Sequence, residues 1–495
     1  MRATSTLNPA ISAAPTDTQR LRLGVLLGLA LVTAAAFITY LALALDWRDQ
    51  PFLGVTVNHN LVVNAAQPSG ETPWPGLEAG LKAGDQIVAI NGQSLEAASG
   101  YAGRSRAYQS ILSDTQPGDS VSVEFLRPAT ASTSGLDCLP QTDGPARCTV
   151  TYAVQMLPDT DFLALFVVPY ISGLVVFALA LLIIQRRRAN PQSFLPVTAS
   201  VLMAIYLGGF FDAGSTHLLF PAWLVTGLLL SGLLATLGLV FPAILPAVRV
   251  RPWLRFLPVT VAALLALYVV MTYSGEAPQT PGASAQLTGV AVLVGLAIWA
   301  ALLLFHQRPQ AAQVVTRDQA NIVLIGIGLA LAPAIIWLVG RLLTLTLDEV
   351  PISFTIEATM PFFVVPVISL TYAVLQKRDL NSDHVISQSV TYSLLLVALM
   401  IGYFLLVLGA SLLTTGLIAP DNPLVIALVI FVVSVIFIPL RTQLEQRINA
   451  VFFRTRHNYQ NRLEQFSQKL ASMAGASVMI DEFRALLNDT VQPLN

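Results

Sequence analysis

Apolar residues fall in long uninterrupted runs along this chain, and the runs set its plan. A helix needs ~20 apolar residues to cross the hydrocarbon core of a bilayer. The first such run is Leu23–Leu45, followed by more than a hundred residues of mixed polarity. Runs then resume at Phe162–Ile184, Phe194–Phe211, Pro221–Val240, Phe256–Tyr273, Leu287–Phe305, Ile322–Leu345, Thr359–Leu375, Val390–Leu413 and Pro423–Leu440. This pattern predicts a polytopic α-helical membrane protein of about ten spans, one before a polar insert and nine after it. The first run is too long for a secretory signal and lacks a small-residue cleavage site, so it reads as an anchor.

In the insert, residues 51–157, the period changes. Gln86–Ile90 leads into a tight Asn91-Gly92 turn, and Ser120–Arg127 alternates apolar with polar positions, as a half-buried strand does. A small α+β domain is expected there. The pattern changes once more after the last run, where charge and helix formers mix. Tyr459, Leu463, Phe466, Leu470 and Met473 are spaced 4, 3, 4 and 3, the seam of a coiled coil or paired helix. The chain therefore divides into an N-terminal tail (1–22), a first span (23–45), the insert (51–157), a nine-helix bundle (162–440) and a helical tail (441–495). The tail reads as a signalling helix in a dimer or as an amphipathic helix on the lipid surface, the latter aided by Arg441, Arg447, Arg454 and Arg456.

Composition narrows the class. Hydrophobic residues make up 55% and charged residues 11%, with mean hydropathy +0.67 and net charge −1. A water-soluble globule of this size cannot cover its surface with so few charges, and disordered or nucleic-acid-binding chains need more of them. The basic residues also have a side. Of the 27 Lys and Arg, 20 lie before the first span, in alternate loops of the bundle, or in the tail. Five lie in the insert, a sixth, Arg48, just before it, and the last is Arg341. By the positive-inside rule both termini are cytoplasmic, the insert is extracytoplasmic, and the protein belongs in the plasma (inner) membrane.

Candidate chemistry is sparse. The histidines, His59, His217, His306, His384 and His457, form no His-Glu-x-x-His pair and none lies deep in a span. Intramembrane proteolysis by zinc or by a serine–histidine pair is thereby excluded, and no metal site or cofactor is expected. Arg341, near the outer end of the seventh span, is either an interfacial anchor paired with Asp212, Asp348, Glu349 or Glu357, or part of an outward-facing pocket. Cys138 and Cys148 lie in the exported insert, where a disulfide is the natural state and two reduced thiols the alternative.

Three segments of the insert, Phe52-Leu53-Gly54-Val55, Gly80–Gly92 (GLKAGDQIVAING) and Pro117-Gly118-Asp119, closely resemble a bacterial PDZ domain. The resemblance implies strand addition of an extended peptide. Its carboxylate would meet the N–H groups of Leu53, Gly54 and Val55, and Ala107, Tyr108 and Ile111 would form the opposite wall. A vestigial groove in a structural spacer is the other reading. A second resemblance rests on Pro366–Leu380, His384-Val385-Ile386, Val390-Thr391-Tyr392 and Phe452–Tyr459, which look like the late-span region of multi-pass bacterial sensor histidine kinases. A PDZ-like domain between the first two of about ten spans is similar to the competence quorum-sensing receptor kinases of that group. Relatives often carry Asp-Arg where this chain has Asn449-Ala450. The resemblance implies the input module of a two-component system: an extracytoplasmic peptide or protein ligand, a homodimer, and a kinase or response-regulator output. No phospho-acceptor His box or ATP-binding segment follows the tail, so catalysis is expected outside these residues. The alternative is a membrane scaffold whose PDZ-like domain captures C-terminal peptides of exported proteins.

Overall fold

A computed structural model describes residues 17–375, apart from 65, 71, 96–99, 129–135, 140–144, 188–190, 273–282, 308–313 and 344–355. The last two apolar runs, Arg341's side chain and the tail seam of Tyr459, Leu463, Phe466, Leu470 and Met473 lie outside the described residues. The protein is mostly helical, with a small antiparallel sheet inserted after the first helix. Five of its described helices are long and apolar enough to cross a membrane, and three more apolar helices are shorter. It is a helical membrane protein.

The chain enters through α1 (Asp17–Arg48). The insert then supplies α2 (Pro75–Glu78), β1 (Gln86–Ile90), β2 (Gln93–Ser94), α3 (Gly100–Ser113), β3 (Ser120–Arg127), β4 (Asp137–Leu139) and β5 (Ala146–Ala153). Its strands run in the order β2-β1-β3-β5-β4, all neighbours antiparallel. Asn91 and Gly92 have φ of 50° and 75°, the double left-handed turn that a two-residue hairpin requires between Ile90 and Gln93. Alternation along β3 buries Val121, Val123 and Phe125, and in the same phase it carries Arg127 inward. That charge is met by Asp85. Arg127 Nε and Nη2 donate to the two carboxylate oxygens at 2.9 and 2.6 Å, and Nη2 also donates to Gly80 O at 2.7 Å. The Lys82 amide donates to Asp85 at 2.8 Å, so the acidic residue of the turn organises its own loop as well.

The bundle follows: α4 (Asp159–Phe162) runs through a π turn at Leu163–Val167 into α5 (Val168–Arg187). Then come α6 (Pro191–Gly208), α7 (Phe210–Gly214), α8 (Phe220–Val240), α9 (Pro246–Val250), α10 (Leu257–Thr272), α11 (Ala283–Leu302), α12 (Val314–Leu343) and α13 (Val364–Leu375). Helix α8 is the centre: 72% of its apolar window is buried against 28% for α1, and it packs on α6, α10 and α11. Small residues permit this approach. A Cβ on Gly295 of α11 would lie 2.6 Å from Ser231 O of α8. Hydroxyls inside the bundle are satisfied locally, as Thr33, Ser200, Thr236 and Thr371 each donate to the carbonyl four residues back at 2.7–2.8 Å. Buried Gln307 closes the far end of α8, donating to Gly238 O at 2.9 Å and accepting from Ala243 N at 3.1 Å. Outward-facing Leu31, Ile38, Leu264 and Met271 give the apolar exterior that lipid requires.

One expected span is cut short. The apolar run to Phe211 is not one helix: α6 stops at Gly208, and Gly209 caps it before α7. Glycine at 209 leaves room for Tyr40 of α1, whose hydroxyl would lie 2.5 Å from any Cβ there. The chain turns there, and Asp212 is released from the span to organise the next connection.

Candidate functional site

The site is a backbone edge in the insert, built where the chain bends at Gly54-Val55 and then runs extended to Asn58. Phe52 N donates to Gln155 O at 2.7 Å, which ties the start of the segment beyond β5. Asn64 N donates to Thr56 O and Asn58 N to Val62 O, both at 2.8 Å. Successive residues of an extended chain point their amide groups to opposite sides. Thr56 and Asn58 therefore face residues 62–64, and Val57 presents its N–H and C=O to the other side.

Nearer the start, Gly54 adopts a φ of 75°. Among the described residues no acceptor pairs with the N–H groups of Leu53, Gly54 or Val55, although all three residues are buried. Unpaired N–H donors in a buried loop are costly unless an anionic group completes them. The Leu53 carbonyl is already taken, by Tyr152 Oη at 2.8 Å. Glycine at 54 is required twice over: a Cβ there would lie 2.8 Å from Pro75 Cγ, and the positive φ disfavours any other residue.

The residues expected from sequence are brought together here. Leu53, Val55, Tyr108 and Ile111 are buried in one apolar cluster, with Ala107 packed against it. Tyr108 and Ile111 are each 7% exposed, so they support the edge from beneath more than they offer a surface. Complete desolvation raises the Tyr108 hydroxyl pKa well above the usual phenol range, and burial followed by the nearness of Tyr108 does the same to Tyr152. Cys138 and Cys148 sit directly opposite each other on β4 and β5 and form a disulfide, Cα atoms 4.0 Å apart.

Sequence reasoning missed what faces the edge. The connection between α7 and α8, residues 215–219, lies against it. Gln109 Nε2 of α3 donates to Thr216 O at 3.4 Å, and the Val57 backbone lies close enough to the His217 imidazole to act on it electrostatically. Phe220, the first residue of α8, stacks on His59 at 5.0 Å and meets His217 edge-on at 6.1 Å. The turn Asn58-His59-Asn60 is buried as a result. Asp212 holds the connection in place: its carboxylate accepts from the amides of Leu218 at 3.0 Å and Leu219 at 2.9 Å, and from the Thr216 hydroxyl. Its pKa is raised by burial, an effect that these hydrogen bonds only partly offset. His217 is pushed the other way, down to about 3, by burial first and by neighbouring His59 second. Asp212 is one of the acids that the sequence offers as a partner for Arg341, yet it spends its carboxylate on this loop.

A second cluster fixes the insert to the helix ends. Trp47 meets Phe52 at 5.9 Å and Phe211 at 5.3 Å, and Phe52 meets Trp74 at 5.1 Å. Asp161, fully buried, accepts from Trp74 Nε1 at 2.7 Å and Ser69 N at 2.6 Å. An exposed Arg48–Asp159 pair at 2.8 Å adds little stability. The available signal was the density of Trp and Phe at the ends of apolar runs, where amphipathic rings collect.

Among the described residues no three His, Cys, Asp or Glu side chains come together to hold a metal ion. What the site offers is hydrogen-bonding backbone: donors at 53–55, and both groups at 57. No family model, curated protein or solved structure matches the chain.

Proposed function

We propose that this protein is the membrane-embedded input module of a two-component-type signalling system. In this reading the insert is a PDZ-like domain outside the membrane and takes up the C-terminus of an exported peptide or protein. About ten spans pass the change to a cytoplasmic helical tail, which acts as a dimer on a kinase or response-regulator output. Both termini are then cytoplasmic, as the segregation of Lys and Arg favours.

The observation that carries the reading is the edge at 53–57. Three consecutive buried N–H groups without acceptors among the described residues suit a terminal carboxylate, and the outward-facing groups of Val57 suit an added strand. Attachment of the insert to α4 and α8 supplies a route from an occupied edge to the helices.

The test uses the full chain in lipid nanodiscs and a pooled library of decapeptides with free C-termini. Retained peptides are expected, and amidating their C-termini should lower retention by about tenfold, because a charge-assisted contact is lost. Equal retention of acid and amide forms would sink the carboxylate reading.

A further inference from the structure

We propose that the 215–219 connection is an internal occupant of the peptide edge, an autoinhibitory segment that an incoming C-terminus must displace. This rests on the peptide-binding reading above and concerns how the same site is regulated.

The loop fills one half of the edge. Val57 turns its unbonded side away from residues 62–64, and the loop lies beside that stretch of chain, with Phe220 stacked on His59 and His217 edge-on to Phe220. The other wall also holds the loop, since Gln109 of α3 bonds Thr216 O. Both sides of the cleft therefore grip the same short segment. His217 adopts a φ of 56°, a left-handed conformation that glycine would take without strain, so the position keeps an imidazole at a conformational cost.

The grip is incomplete. His217 Nε2 is buried with no hydrogen-bond partner. The buried donors at Leu53, Gly54 and Val55 have no acceptor among the described residues, and the Asp212 carboxylate is committed to the loop's own amides. This arrangement sets an order of events. A peptide docks its carboxylate at 53–55 first, then pairs along the strand toward Val57, and there it evicts His217. Eviction frees Phe220 from His59 at the first turn of the central helix α8. A ligand that had only to fill an empty groove would have no such consequence.

The experiment locks the loop in place. Among the described residues there is no free cysteine, so a Gln109→Cys/Thr216→Cys pair in the full chain can be joined by a short bismaleimide with the native disulfide intact. The free-carboxylate decapeptide pool is the probe, in nanodiscs. The joined protein is expected to retain about tenfold less peptide than the unjoined one, as when the competent state is withheld. His217→Gly, which the backbone accepts at its positive φ, should retain more than the unaltered chain. Adding retained peptide should also slow the crosslinking. Equal retention by joined, unjoined and His217→Gly proteins would overturn the internal-occupant proposal while peptide binding stood. No retention by any of them would remove the peptide-binding reading itself, and the proposal with it.

Discussion

The indole N–H of Trp74 donates to the carboxylate of Asp161 at 2.7 Å, with both side chains buried to within 1% of complete. The bond joins the segment before α2 to α4, and Ser69 N shares the same acceptor. Replacing Asp161 with Ala strands two buried donors, so a loss of roughly 2–4 kcal/mol is expected. Trp74→Phe removes one donor and keeps most of the packing, so its cost should be smaller, about 1 kcal/mol. Thermal unfolding in detergent, read by tryptophan fluorescence, checks the ranking. Equal midpoints for Asp161→Ala and the unaltered protein would refute it.

Asp85 and Arg127 form a paired charge in the core of the insert, each 1% exposed. Removing one member leaves the other unpaired, and Asp85→Ala is expected to cost roughly 3–5 kcal/mol. The double change Asp85→Leu/Arg127→Leu should cost less than the sum of the single ones, because it leaves no stranded charge. Hydrogen exchange of the β3 amides provides the measurement, with additive losses as the contrary outcome.

The disulfide closes a short loop, Cys138 and Cys148 being ten positions apart. Cross-linking a loop of that length restricts the unfolded chain by about 3 kcal/mol. A Cys138→Ser/Cys148→Ser variant should therefore loosen β4 and its pairing with β5 and leave the β1–β3 pairing protected. Protection lost equally across all five strands would contradict this.

Acidification should release the loop at the edge. His217 is held neutral, its pKa lowered from 6.5 to about 3 by burial and by His59. A base with a depressed pKa favours the docked state fully above its free value. Below pH 6.5 the released loop binds a proton that the docked loop does not, so docking weakens by up to ~1.4 kcal/mol per pH unit until about pH 3. Asp212, with its pKa raised, works against this at the acid end, where the docked state takes up the extra proton. His59 and Asp212 are the titratable groups shown acting at this position, from the 58–60 turn and from α7. Crosslinking between residues 109 and 216 should fall as pH drops below 6.5, and His217→Gly should flatten the profile. An unaltered profile in that variant would count against His217 as the sensor.

Local pattern told much of the fold. The alternation of Ser120–Arg127 became β3, Asn91-Gly92 became the β1–β2 turn, and the apolar runs up to Leu375 fell on helices. These features repeat within a few residues, so periodicity alone identifies them. The site was legible only on one side. Gly54 and its neighbours carry a local signature, whereas the contact of His217 with Val57 joins positions 160 apart and leaves no periodic trace. The need for glycine at 209 leaves no local trace for a similar reason, since the ring it makes room for belongs to Tyr40 of another helix.

The lock formed by Gln307 on Gly238 O and Ala243 N has a mechanical consequence. Helix α8 starts at Phe220, beside the edge, and spans 21 residues, a rod about 31 Å long. With its far end pinned, the rod has tilt as its easiest freedom, since sliding would break both Gln307 bonds. A displacement of about 1 Å at Phe220 then becomes a rotation of about 2° around Gln307, by the length of the rod. The side chains of α6, α10 and α11 would meet that rotation as a graded wedge, greatest near the insert and vanishing at the pivot.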